Sequence, residues 1–62
     1  MRGNYWCVLD PRDRLIVDTD HANEAFFCVL EEDRDASVYL GVRQVRALVN
    51  QLQKWLETEE EE

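Results

Sequence analysis

Residues 38–56, Val38-Tyr39-Leu40-Gly41-Val42 through Trp55-Leu56 (VYLGVRQVRALVNQLQKWL), decide the fold. Val38-Tyr39-Leu40 has the β-branched and aromatic composition of a strand, and Gly41 ends it. From there the apolar residues fall at Val42, Val45, Leu48, Val49, Leu52, Trp55 and Leu56, the three-and-four spacing of one helix face. The helix is predicted from Gly41–Val42 to Leu56, with Gly41 an acceptable N-cap. The next six residues, Glu57-Thr58-Glu59-Glu60-Glu61-Glu62, set carboxylates against the negative end of the helix dipole. A single domain over residues 1–57 is therefore expected, with a frayed acidic tail over 58–62.

Upstream of this stretch the chain reads as strands. Tyr5-Trp6-Cys7-Val8-Leu9 is apolar and stops at Asp10-Pro11-Arg12-Asp13, where Pro11 suits the second position of a type I turn. Leu15-Ile16-Val17 reads as the return strand. Asp18–Asn23 is a polar loop, in which Asp20 and Asn23 offer caps for a single helical turn as the alternative. Ala25-Phe26-Phe27-Cys28-Val29-Leu30 is the most strand-like run. Residues 31–36 read as a charged loop and Ser37–Leu40 as a short fourth strand. The predicted fold is α+β: a small antiparallel β-meander of three to four strands packed by one C-terminal amphipathic helix, in the order ββββα.

A 62-residue chain has room for one domain, and one of this size buries only about 60% of the surface that its unfolded form exposes. Such domains need a disulfide, a metal, a partner or very good packing. The two cysteines, Cys7 and Cys28, sit inside apolar runs and read as buried, reduced thiols, with a Cys7–Cys28 bridge as the alternative. Met1–Asn4 leads into a strand with no secretory leader, which points to the cytoplasm. No C-x-x-C or H-x-x-x-H spacing is present, so neither metal nor cofactor is expected. No apolar run approaches the 18 or more residues of a membrane span. A partner remains.

Side chains alternate across a strand. Tyr5, Cys7 and Leu9 oppose Trp6 and Val8; Phe26, Cys28 and Leu30 oppose Phe27 and Val29. Both sets are apolar, whereas a sheet with one solvated face alternates with polar residues. The helix is expected to bury one set with Val45, Leu48, Val49, Leu52 and Leu56. The other leaves roughly 300–500 Å² of apolar surface, the size at which patches mark interaction sites. Trp6, Val8, Phe27 and Val29, with Trp55 at the edge of the helix stripe, are the predicted interface of a homodimer.

Charge is unevenly laid out in a chain of net −7: residues 1–35 carry −5, residues 36–56 carry +3 and residues 57–62 carry −5. Asp10, Asp13, Asp18, Asp20, Glu31, Glu32, Asp33 and Asp35 are the predicted acidic partner-binding residues. By analogy of size and charge, a small acidic dimer of this kind suits an inhibitor of the virus-encoded, nucleic-acid-mimicking type that binds and modulates another protein. The alternative is a nucleic-acid binder using Arg43, Arg46 and Lys54 on the outer face of the helix as phosphate contacts. No enzyme is expected. The lone His21 lies in an acidic loop, the thiols lack a neighbouring base, and Gly3 and Gly41 are the only glycines, too few for a phosphate loop.

Overall fold

The computed structural model describes residues 1–20 and 22–60. Four strands, β1 (Arg2–Trp6), β2 (Arg14–Asp18), β3 (Glu24–Glu31) and β4 (Arg34–Gly41), are followed by one helix, α1 (Val42–Glu60). The strands form one antiparallel sheet in the order β1-β2-β3-β4, so the chain has the α+β meander-plus-helix architecture read from its sequence. His21 and the last two tail residues, 61–62, lie outside the described residues, and so does the expectation of a surface-loop histidine.

Three boundaries differ from the reading of the sequence. β1 lies three residues earlier than the apolar run Tyr5–Leu9, leaving Val8 and Leu9 in the connection to β2, 96% and 91% exposed. Pairing at the far end draws β1 that way: Arg2 lies opposite Asp18, and the Thr19 N–H donates to the Met1 carbonyl at 2.8 Å. The expected turn forms where Pro11 places it. The Asp13 N–H donates to the Asp10 carbonyl at 3.0 Å, and the Cys7 N–H donates to the Asp13 carbonyl at 2.9 Å. Cys7 therefore closes a loop and is half-buried, whereas the sequence placed it inside a strand.

The charged segment 31–36 is a tight hairpin rather than a loop. Glu31 pairs with Arg34 across a two-residue turn at Glu32-Asp33, and the ladder continues to Glu24 opposite Gly41. Cross-strand pairing of opposite charges offsets the weak strand preference of these residues. Finally, α1 runs to Glu60, beyond the helix end read at Leu56. Glutamate is a good helix former, and the Thr58 hydroxyl donates to the Lys54 carbonyl one turn back at 3.1 Å.

The register assigns every strand residue to a face. One face carries Tyr5, Leu15, Val17, Ala25, Phe27, Val29, Ala36, Val38 and Leu40, with Glu31 and Arg34 at one end. It is called here the Phe27 face. The other, the Cys28 face, carries Asn4, Trp6, Arg14, Ile16, Asp18, Phe26, Cys28, Leu30, Asp35, Ser37 and Tyr39. On it the Phe26 and Tyr39 rings meet at a tilt of 53° with centroids 5.1 Å apart, and the Arg14 guanidinium sits 5.1 Å from the Trp6 ring centre. Ile16 and Cys28 are neighbours there and are 7% and 8% exposed; with Ala25 at 8% on the other face they are the buried core.

Candidate interaction surfaces

The helix meets β3 and β4 but covers less of the sheet than the apolar stripe predicts. None of its residues is buried. Val45 and Leu48 are half-buried, while Val42, Val49, Leu52, Trp55 and Leu56, the rest of the apolar stripe, are exposed. Among the described residues α1 touches only β3 and β4. The cause is local. β4 ends at Gly41 and the helix starts at Val42, with no connecting residue between them. Strand–helix connections ordinarily use two to six residues to turn the helix back over its sheet.

Shape carries the consequence. The radius of gyration is 13.3 Å, against about 10.6 Å for a close-packed domain of this length. The accessible surface is 5627 Å², whereas a compact monomer of 7.4 kDa exposes roughly 4,200 Å². The excess is roughly 1,400 Å². Much of it is apolar, because Val29 and Val38 on the Phe27 face are about half exposed as well as the helix stripe. At the helix root, Ala25 and Leu40 of the sheet and Val42, Val45 and Val49 of the helix line one open hollow. Sheet face and helix stripe thus form the two walls of a gaping apolar angle.

The five expected interface residues do not share a surface. Phe27 and Val29 lie on the Phe27 face, Trp6 lies on the opposite face beside Arg14, and Val8 is in the β1–β2 loop. The end of β1 at Trp6 leaves Val8 outside the sheet, and the register, which alternation within single strands does not fix, puts Trp6 on the face of Leu30 rather than of Phe27. Trp55 is exposed on α1. Val38 shares the face of Phe27 and Val29, and Val49 and Leu52 are exposed on the helix stripe.

The acidic residues fall into two groups. Asp10 and Asp13 from the β1–β2 turn meet Glu31, Glu32 and Asp33 from the β3–β4 turn around one hollow, with Arg34 at its edge. Asp35 lies beside them in a neighbouring hollow. Segments 10–13 and 31–35 together hold six acids and two bases, net −4. Arg12 ties the two turns. Its guanidinium donates to Asp10 Oδ2 at 3.1 Å and Glu32 Oε1 at 2.8 Å, and its backbone N–H donates to Asp10 Oδ1 at 3.0 Å. The guanidinium and that backbone N–H hold the Asp10 carboxyl below its ordinary pKa, and Asp10 raises that of Arg12 in return.

Asp18 and Asp20 belong to the opposite end of the sheet. Asp18 lies 3.9 Å from Arg2 Nε, and Asp20 accepts from the Met1 ammonium, whose pKa it raises. Arg43, Arg46 and Lys54 are exposed on α1, with Glu57 following on the next turn. Among the described residues no group of three or more His, Cys, Asp or Glu side chains is placed to hold a metal ion, and no helix is long and apolar enough to cross a membrane.

The chain matches no protein-family model, no curated protein and no solved structure.

Proposed function

We propose that this protein is a non-enzymatic interaction module that works as a homodimer, joined through its apolar surface and presenting acidic ends to a second protein. The observation that carries the reading is the roughly 1,400 Å² of surface beyond that of a compact monomer of this mass. An interface of standard size buries about 800 Å² on each partner, and obligate homodimers bury 1,000 Å² or more a side. The excess falls in the second range. Exposed valine, leucine and tryptophan of this extent are tolerated when a partner covers them.

The acidic end is the working surface toward other molecules. It gathers carboxylates from two hairpin turns, and a two-fold dimer carries two such ends. Carboxylates spaced over a rigid sheet end favour a basic surface, including one shaped to take nucleic acid, and steer the encounter from a distance. The free thiols of Cys7 and Cys28 suit a reducing compartment such as the cytoplasm.

Sedimentation equilibrium at micromolar concentration tests the dimer. Twice 7.4 kDa is expected, and a 7.4 kDa species throughout the concentration range removes the reading. Neutralising Glu32 and Asp33 (Glu32→Gln, Asp33→Asn) should leave the mass unchanged and abolish capture of the basic partner from lysate of the source cells. Capture that survives neutralisation refutes the role given to the acidic end.

A further inference from the structure

We infer that the two copies exchange helices: the apolar stripe of each α1 packs across the Phe27 face of the other copy's sheet. This rests on the homodimer reading above and says how the dimer is built.

Each chain carries both halves of an unmade contact. The Phe27 face meets its own helix only at the root, around Ala25 and Leu40, and beyond Val45 and Leu48 the apolar stripe of α1 is exposed. Their sizes match. A 19-residue helix is about 28 Å long, and the eight-residue strands β3 and β4 are about 27 Å. Chemistry matches too, since Val38 and Val29 on one wall and Val49 and Leu52 on the other are apolar and exposed.

Two features keep the chain's own helix from closing over the rest of that face. Without a residue between Gly41 and Val42 there is no loop in which to reverse direction. Folding back along β4 would also carry Glu57, Glu59 and Glu60 from the Gly41 end of the sheet toward the Arg34 end. That end already holds Asp10, Asp13, Glu31, Glu32 and Asp33. Like charges brought together in this way repel. A second copy escapes the first restriction completely, because its helix approaches from outside and its direction is free. A foreign helix would fill the sheet face but leave this chain's own stripe exposed. A second copy covers both surfaces at once, as an isologous two-fold contact requires.

A complementation experiment reads the arrangement directly. Leu52→Lys marks the helix and Val38→Glu marks the sheet face. Each variant alone should sediment at 7.4 kDa, and an equal mixture should restore a species of twice that mass. In the mixed pair one contact is wild type and the other joins the new lysine to the new glutamate. If Val38→Glu alone remains dimeric, the copies join helix to helix; if Leu52→Lys alone remains dimeric, they join sheet to sheet. Either outcome overturns helix exchange while leaving the dimer standing, whereas a monomeric wild-type chain removes the underlying reading.

A second measurement covers the case in which a charged variant loses its fold. p-Benzoylphenylalanine replacing Trp55 is a conservative aromatic change at an exposed position. After irradiation, a cross-linked dimer joined to the β3–β4 segment supports helix exchange. One joined to α1 of the other copy, or a cross-link confined to a single chain, overturns it.

Discussion

Arg12 Nη1 donates to Glu32 Oε1 at 2.8 Å, joining two hairpin turns that are 20 residues apart in the chain. The same guanidinium holds Asp10, so one cation organises the acidic end of the sheet. Replacing it by glutamine should return the Asp10 carboxyl toward its ordinary pKa of 3.8. The carboxyl resonance of Asp10, followed by NMR titration, reads this. An Asp10 pKa that stays depressed in Arg12→Gln assigns the effect to the backbone N–H alone.

The pH dependence of this turn has a definite sign. The folded-state pKa of Asp10 is lowered, so its contribution is complete above the unfolded value and is lost as pH falls through the folded one. The Asp10 carboxyl resonance should therefore hold steady from neutral pH to the ordinary carboxylate range and move chiefly below it. Movement beginning well above 3.8 contradicts the assignment.

Among the described residues Ile16 is one of three that are buried, and it lies opposite Cys28. Ile16→Ala should cost about 2–5 kcal/mol, through lost transfer free energy and the cavity left behind. Urea unfolding at fixed protein concentration measures it, since stability linked to association varies with concentration. A loss below 1 kcal/mol would mean that the site collapses around the alanine.

Trp6 contacts Arg14 on the Cys28 face, away from the proposed dimer contact. Trp6→Ala should cost about 0.5–1 kcal/mol for the cation–π contact, plus its share of apolar burial, and leave the sedimented mass unchanged. A drop to monomer mass would move the interface to the Cys28 face.

Lengthening the link between Gly41 and Val42 should redirect the helix. A Gly-Ser-Gly-Ser insertion there supplies the missing turn, and salt screens the acids at the far end of the sheet. The expected result is a monomer at high ionic strength, with α1 closed on its own Phe27 face. Mass by light scattering checks it; a dimer unaffected by the insertion argues against the missing loop as the cause.

Element identity was readable from local chemistry. The spacing of Val45, Leu48, Val49 and Leu52 made a helix, and Pro11 placed a turn whose Asp10–Asp13 hydrogen bond is present. Strand limits were less readable, because apolar Val8 and Leu9 look like strand residues until the Arg2–Asp18 pairing draws β1 away from them. The acidic residues were all visible, but their division into a cluster bridged by Arg12 and a pair beside Arg2 was not. That division depends on which turns lie at the same end of the sheet.

By itself, then, the chain's order of residues determined four strands, one amphipathic helix and more apolar faces than the helix can cover, since periodicity and turn chemistry are properties of neighbours. Only the tertiary structure decided which side chains share a face and where the helix goes. Register separated Trp6 from Phe27, and the direct passage from Gly41 into Val42 sent the apolar stripe away from its own sheet. Register depends on contacts between residues distant in sequence, and the direct passage follows from β4 staying paired up to Gly41, opposite Glu24.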